Sequence, residues 1–223
     1  MNILAIETAT EFCSVALSLN GELFERSRLA QREHAELLLP WVQELLSEAE
    51  LRLGDLDALA FSRGPGSFTS LRIGISVAQG LAWGAGLPVI PVSSLQSAAQ
   101  AAVNRGVKAA LVALDARMDE VYCGRFRLDE GGLMQPEGEE RLYASGDIRP
   151  EGPGHWSGVG NGFERYPALS LLGEQMEAVH ADVSPQASAM IPLAEHWAEH
   201  NALLHAALAQ RVYLRDKVAD KPA

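Results

Sequence analysis

Cysteine is scarce in this chain: only Cys13 and Cys123 occur in 223 residues. They stand far apart and without metal-ligand spacing, which excludes a disulfide framework and predicts two small core residues in a reducing compartment. Positive charge is also in short supply, since 18 Lys and Arg against 29 Asp and Glu leave a formal charge of −11. A surface of that sign repels a phosphate backbone and argues against autonomous nucleic-acid binding. The local exception is Arg211, Arg215, Lys217 and Lys221, a small basic cluster that a shared RNA site could use and that otherwise reads as a solvated tail. No apolar run reaches membrane-spanning length, and the N-terminus passes from Met1 into an apolar run carrying Glu7 without a basic region or cleavage site. The expected location is cytoplasmic.

Three catalytic signatures are missing as well. G-x-S-x-G is absent, so no Ser-His-Asp arrangement can be argued. Gly64-Pro65-Gly66-Ser67 invites comparison with a phosphate cradle, because glycine admits close backbone approach and a helix start favours anions. It lacks the lysine of a P-loop and reads as a rigid turn that positions the next helix. His196 and His200 have the i, i+4 spacing of a metal pair, but HWAEH lacks the glutamate directly after the first histidine. With Glu195 and Glu199 beside them they read as a solvated helix face, and no metal is expected.

What is present is an ordinary globular balance, 48% apolar and 21% charged. Asn2–Thr8 is a short apolar run, and Phe12–Leu19 alternates with period two. Asn20-Gly21 supplies the positive φ of a tight hairpin turn, so Glu22–Leu29 returns as a third strand. From His34 to Leu51 the spacing turns helical, with an apolar face wider than one core contact needs and Pro40 inside it. Asp57–Ser62 reads as a buried strand, Thr69–Gly84 as a helix and Pro88–Val92 as a strand. Ser93 caps a helix that ends near Gly106. Lys108–Leu128 restarts the strand pattern as if the same unit began again. Residues 129–154 read as loops around at most one short strand. Helices are suggested near Phe163–Leu172 and at Ala187–His200, and Val212–Arg215 is a candidate closing strand.

Within the helix after the RGPG turn, Gly74, Ser76, Ala78, Gly80, Ala82, Gly84 and Ala85 are small. Each glycine costs up to about 1 kcal/mol relative to alanine in a helix interior. Close packing against another backbone, in this chain or another, would offset that cost. Glu7, with Thr8 and Thr10, closes the first strand, and Asp115-Ala116-Arg117 closes the first strand of the second unit. An acid recurring at the same place in both units suggests a phosphate or metal-holding position, against the plainer reading of turn-binding side chains.

IETAT at the first strand end, RGPGSFTSLRIG from Arg63 to Gly74, LDARMDEVY from Leu114 to Tyr122, GVGNG from Gly158 to Gly162 and the terminal VYLR occur in this order. Together they resemble the TsaB family, also called YeaZ. The resemblance covers Met1 to Arg215 and is weakest between Asp129 and Gly154. It implies an α/β fold of the duplicated ASKHA type, the actin-like and sugar-kinase-like architecture, with two lobes and the second degenerate. The lobes are expected at residues 1–106, carrying the partner-binding helices, and 107–223.

The same resemblance implies a cytoplasmic, non-catalytic subunit that binds TsaD. TsaD transfers a threonylcarbamoyl group to the adenosine next to the anticodon, position 37, of tRNAs reading codons that begin with A. TsaC makes the threonylcarbamoyl-adenylate, and the TsaE ATPase joins a larger complex. TsaD carries its metal on a histidine pair in the helix corresponding to Ser93-Ser94-Leu95-Gln96-Ser97, and no histidine stands here between Gly86 and Gly154. The expected partner interface is Leu38, Trp41, Val42, Leu45, Phe68, Thr69, Arg72, Ile73 and Val77, self-pairing into a homodimer when the chain is alone. A vestigial nucleotide site is expected at Glu7, Thr8, Asp115, Arg117, Gly158 and Gly160. The chain is expected to hold no cofactor of its own, with ATP or ADP shared at most at the complex interface, and to meet tRNA only through the complex. Two other classes compete: an ATP-dependent small-molecule kinase using Glu7 and Asp115, and, more weakly, a peptidase.

Overall fold

The computed structural model describes residues 1–30, 32–149 and 155–214. Its first sheet begins as the expected meander, β1 (Ile3–Glu7), β2 (Phe12–Leu19) and β3 (Glu22–Leu29), with antiparallel pairing throughout. Asn20 and Gly21 make the turn at φ of 51° and 86°, as a two-residue hairpin requires. Then α1 (His34–Glu48), β4 (Ala58–Gly64), α2 (Phe68–Ala85) and β5 (Val89–Ser93) follow, and β4 and β5 extend the sheet in parallel beyond β1. The strand order is β3-β2-β1-β4-β5. Pro40 stands inside α1.

α3 (Ser94–Ala102) starts on Ser93, whose hydroxyl accepts hydrogen bonds from the amides of Leu95 and Gln96. Gly106 ends the following turn at φ 84°. The second sheet is built from β6 (Ala109–Arg117), β7 (Glu120–Leu128), β8 (Met134–Pro136), β9 (Arg141–Ala144), β10 (Ser157–Val159) and β11 (Val179–His180). β6 pairs antiparallel with β7 on one side and parallel with β10 on the other, and β11 continues beyond β10. That is the pattern β1 makes with β2 and β4, so the second sheet repeats the first, with β10 and β11 shortened to three and two residues. α4 (Gly162–Arg165), α5 (Pro167–Gly173) and α6 (Ala187–His200) are the remaining α-helices among the described residues.

Two corrections to the sequence reading arise here. Residues 129–149 hold two strands, β8 and β9, both laid along the free edge of β7. Val212–Leu214 join no strand; the Val212 amide donates a single hydrogen bond to the Arg63 carbonyl at 2.8 Å. Arg215, Lys217 and Lys221 lie outside the described residues.

Successive residues of a strand face opposite sides of its sheet, and each central strand is buried on both. Leu4, Ile6, Val15, Leu17, Leu59 and Phe61 pack with Leu38, Val42 and Leu45 of α1 and with Ile75, Ala78 and Ala82 of α2. The opposite face, Ile3, Ala5, Ala16, Ala58, Ala60, Ile90 and Val92, is covered by Ala187, Met190, Ile191, Leu193 and Ala194 of α6. Its alanines let α6 lie close against the sheet. Conversely, Leu95, Ala98, Ala99 and Ala102 of α3 cover Ala110, Val112, Leu114 and Phe126 of the second sheet. α4 and α5 close that sheet's other face through Phe163 and Leu169. The last helix of each half thus packs on the sheet of the other half.

Candidate functional site

The carboxyl ends of equivalent strands meet at a cavity of about 630 Å³. Ala9, Thr10 and Glu11 follow β1, Gly66, Ser67, Phe68 and Ser70 follow β4, Leu114–Arg117 end β6, and Asn161 follows β10. Ligand crevices form at this place in α/β sheets because the connecting loops diverge there.

Asp115 anchors the second-lobe wall. Its side chain is 5% exposed and pairs with Arg117 at 3.2 Å and Arg165 at 3.0 Å. It also accepts hydrogen bonds from the Tyr166 hydroxyl at 2.6 Å and the Arg117 amide at 2.8 Å. The Asp115 amide in turn donates to Asn161 Oδ1 at 2.9 Å. Two guanidiniums, a phenol and an amide occupy this carboxylate, so it has little capacity left to hold a magnesium–phosphate. Arg117 also reaches Glu11 of the first lobe at 3.1 Å, an ion pair across the cavity.

Glu7 lies at the end of β1, buried, and does not line the cavity. Its Oε1 accepts from the Ala9 amide at 2.6 Å, while Oε2 has no hydrogen-bond partner among the described residues. Burial pushes its carboxyl up to about 7; the Ala9 amide, with smaller contributions from Ser62 and the Thr8 amide, works against that rise. Thr8 is also buried and donates to the Ser70 carbonyl at 2.9 Å.

The RGPG segment is a fixed turn. Gly64 has φ 94°, and the Ser67 amide donates to the Ala9 carbonyl at 2.7 Å. A Cβ at Gly66 would overlap that same carbonyl, and one at Gly74 would overlap the Thr8 side chain. These two glycines let the loop after β1 lie directly on the start of α2. Gly158 and Gly160 serve the same end in the second lobe, meeting the Phe163 ring and the Ala113 carbonyl.

Gly80 and Gly84 differ from Gly66 and Gly74. Both are exposed, and among the described residues an added Cβ would meet nothing within 4 Å. With exposed Thr69 and Ser76 and half-buried Ile73 and Val77, they form an outward ridge of α2 that is short of side chains. Large apolar groups flank it: Phe68 is 49% exposed, Trp83 64% and Leu39 of α1 51%. The Arg72 guanidinium stacks on Phe68, 3.1 Å from the ring centroid, and donates to the Tyr213 hydroxyl at 2.9 Å.

A family model described as TsaD, tRNA N6-adenosine threonylcarbamoyltransferase, matches residues 27–147. The Escherichia coli K12 protein titled tRNA threonylcarbamoyladenosine biosynthesis protein TsaB is 41% identical over 228 residues, covering 99% of this chain and 97% of that protein. The chain belongs to the TsaB family. A TsaB relative from Haemophilus influenzae is 48% identical over 141 residues, 60% of each chain. The solved structure titled YeaZ from Pseudomonas aeruginosa superposes with a TM-score of 0.89 at 38% identity, covering 96% of this chain and 99% of that one. The duplicated two-lobe ASKHA-type fold expected from the motifs is therefore the fold of this TsaB family member. The stretch matched by the TsaD model contains α1, α2 and α3.

Of the six residues expected at a nucleotide site, Asp115 and Arg117 line the cavity, whereas Glu7, Thr8, Gly158 and Gly160 do not. The sequence reading missed Arg32, Tyr122, Asn161 and Tyr213 as cavity residues, and gave His34 no role. His34 is buried at the start of α1, its Nε2 donating to the Thr10 carbonyl at 3.1 Å. Of the nine expected interface residues, Phe68, Thr69, Arg72, Ile73, Val77 and Trp41 are exposed or half-buried. Leu38, Val42 and Leu45 are 0%, 4% and 0% exposed and lie under the first sheet, where no partner can reach them. Leu45→Asp is accordingly expected to abolish the cooperative thermal transition of the isolated chain, because it places an unpaired carboxylate in the core. A normal transition in that variant would contradict the packing of α1 described above.

The thiols of Cys13 and Cys123 are buried, and burial pushes each up to about 12. Neither can supply a thiolate nucleophile near neutral pH. At the start of α3, Ser94 shares a hydrogen bond of 2.6 Å with Ser62, and Ser97 donates to the Gln186 carbonyl at 2.9 Å. Among the described residues no helix is long and apolar enough to cross a membrane.

Proposed function

We propose that this chain serves threonylcarbamoyladenosine formation at position 37 of tRNA as a non-catalytic subunit, docking on TsaD through α2 and the exposed flank of α1. The observation that carries this reading is the outward ridge of α2. Gly80, in the helix interior, weakens it by about 1 kcal/mol relative to alanine, and among the described residues nothing fills the space that the missing side chains of Gly80 and Gly84 leave. Close approach of a partner helix explains that cost, and Phe68, Trp83 and Leu39 on either side supply the large apolar anchors that dominate interface energies.

The competing readings fit the geometry less well. A kinase would need Asp115 free to hold a metal–phosphate, yet it is saturated by Arg117, Arg165, Tyr166 and backbone. A thiol peptidase would need an accessible thiolate, and both cysteines are buried. Under the favoured reading the chain holds no nucleotide of its own, and ATP or ADP binds only where a partner completes the cavity. TsaE joins the assembled pair, tRNA is met through the complex, and the isolated chain pairs with itself over the same ridge.

Light scattering on a size-exclusion column tests this. Mixing the chain with TsaD should convert self-paired dimers into a mixed complex, with amides of α2 protected from hydrogen exchange. Failure to form the complex, or a complex that leaves α2 unprotected, would sink the docking model.

A further inference from the structure

The C-terminal end of α6, away from the cavity and from α2, carries a set of donors that the proposed function leaves unused. His196, Glu199 and His200 share one face because positions i, i+3 and i+4 are neighbours on a helix. One ligand atom from each lies within 4.8 Å of the others. The two imidazole rings stand 4.2 Å apart between centroids. Nδ1 of His200 lies 2.8 Å from the His196 carbonyl oxygen. That oxygen can only accept, so Nδ1 carries a proton, and the neutral ring offers its lone pair at Nε2. Metal-binding histidines are commonly oriented in this way, the second nitrogen held by a backbone carbonyl. Glu199 adds a carboxylate, and the helix C-terminus adds the negative end of its dipole, which favours a cation.

We propose that His196, Glu199 and His200 form a surface site for a divalent transition ion of the zinc type, with water completing the coordination. Two imidazoles and one carboxylate suit zinc, nickel or copper and suit magnesium or calcium poorly. Zinc binds such donors at about 2.0–2.2 Å, so the three side chains must draw together, which rotation about their own bonds permits at a solvent-facing helix end. The bound ion would clamp the last turn of the helix whose Met190, Leu193 and Ala194 cover the first sheet. In sequence the histidine pair lacks a glutamate after its first member and, with Glu195 and Glu199 beside it, reads as a solvated face. A hydrolytic centre needs that glutamate, but an ion site does not.

The test is calorimetric titration of the chelator-treated, tag-free protein with zinc chloride. One ion per chain should bind, and His196→Ala or His200→Ala should weaken binding by about tenfold or more, while His205→Ala leaves it unchanged. In parallel, NMR should show the ring signals of His196 and His200 moving on zinc addition while those of the other four histidines stay. Thermal melts without metal establish that the exposed-face variants remain folded. Absence of saturable binding, or one-to-one binding that persists in the His196→Ala/His200→Ala double variant, would overturn the site.

Discussion

Gly80→Leu is expected to stabilise the unpaired chain while weakening both its self-pairing and its complex with TsaD. Gly80 lies in the interior of α2 with open space around its missing side chain. Leucine there relieves a propensity penalty of about 1 kcal/mol, which for a chain of this size raises Tm by roughly 2–4 °C at concentrations low enough to leave it unpaired. The same side chain would stand between α2 and any helix seated on its ridge. Overpacking of a close contact costs about 1–3 kcal/mol, so binding to TsaD should fall by roughly tenfold to a hundredfold. Opposite signs for stability and binding separate an interface role from a structural one, because a misfolded variant would lose both. A variant that is stabilised and binds TsaD normally would place the interface elsewhere.

The second large effect is a pH dependence set by Glu7. Its carboxyl is raised from an ordinary 4.5 to about 7 by burial, so the folded chain holds a proton there that the unfolded chain releases. The protonated form favours folding fully below pH 4.5, and this contribution is lost as pH rises through about 7. Glu7→Gln keeps the shape and cannot ionise. At pH 8 the glutamine variant should therefore gain on the parent by on the order of 3 kcal/mol relative to the difference at pH 4. Urea unfolding of both proteins across that range measures it, and comparison within the pair cancels the other carboxylates. A difference independent of pH would mean that Glu7 titrates normally and is not the buried carboxyl described.

Much of the first lobe was legible in the sequence because its signals are local. Period-two alternation and Asn20-Gly21 specify the meander, Ser93 caps α3, and RGPG marks the turn before α2. β10 and β11, with three and two residues, are too short to show any periodicity. β8 and β9 were obscured by glycine, proline and glutamate around them, since edge strands need few apolar residues. The exchange of α3 and α6 between the sheets was not legible at all. It depends on shape matching between distant segments, such as the alanine face of Ala5, Ala16, Ala58 and Ala60 beneath α6.

The site was legible in part for the same reason. Asp115 and Arg117 could be singled out from their place at a strand end, whereas Arg32 and Tyr213 reach the cavity only through the tertiary path of the chain. On α1 the sequence displayed a wide apolar face but not its division. Leu38, Val42 and Leu45 follow one another at four and three residues and turn to the sheet, leaving Leu39 to solvent. The stripe of small residues on α2 was visible too. Which of its glycines meet this chain and which face outward is a property of the fold: Gly74 lies against Thr8, and Gly80 meets nothing among the described residues.

The most direct measurement is threonylcarbamoylation of tRNA reconstituted from TsaC, TsaD and TsaE, with this chain present, absent, or replaced by Gly80→Leu. The account predicts modified tRNA only when the chain is present, none from the chain without TsaD, and a yield lowered by the Gly80→Leu variant and restored by raising its concentration. Full modification in its absence, or modification by this chain without TsaD, would contradict it.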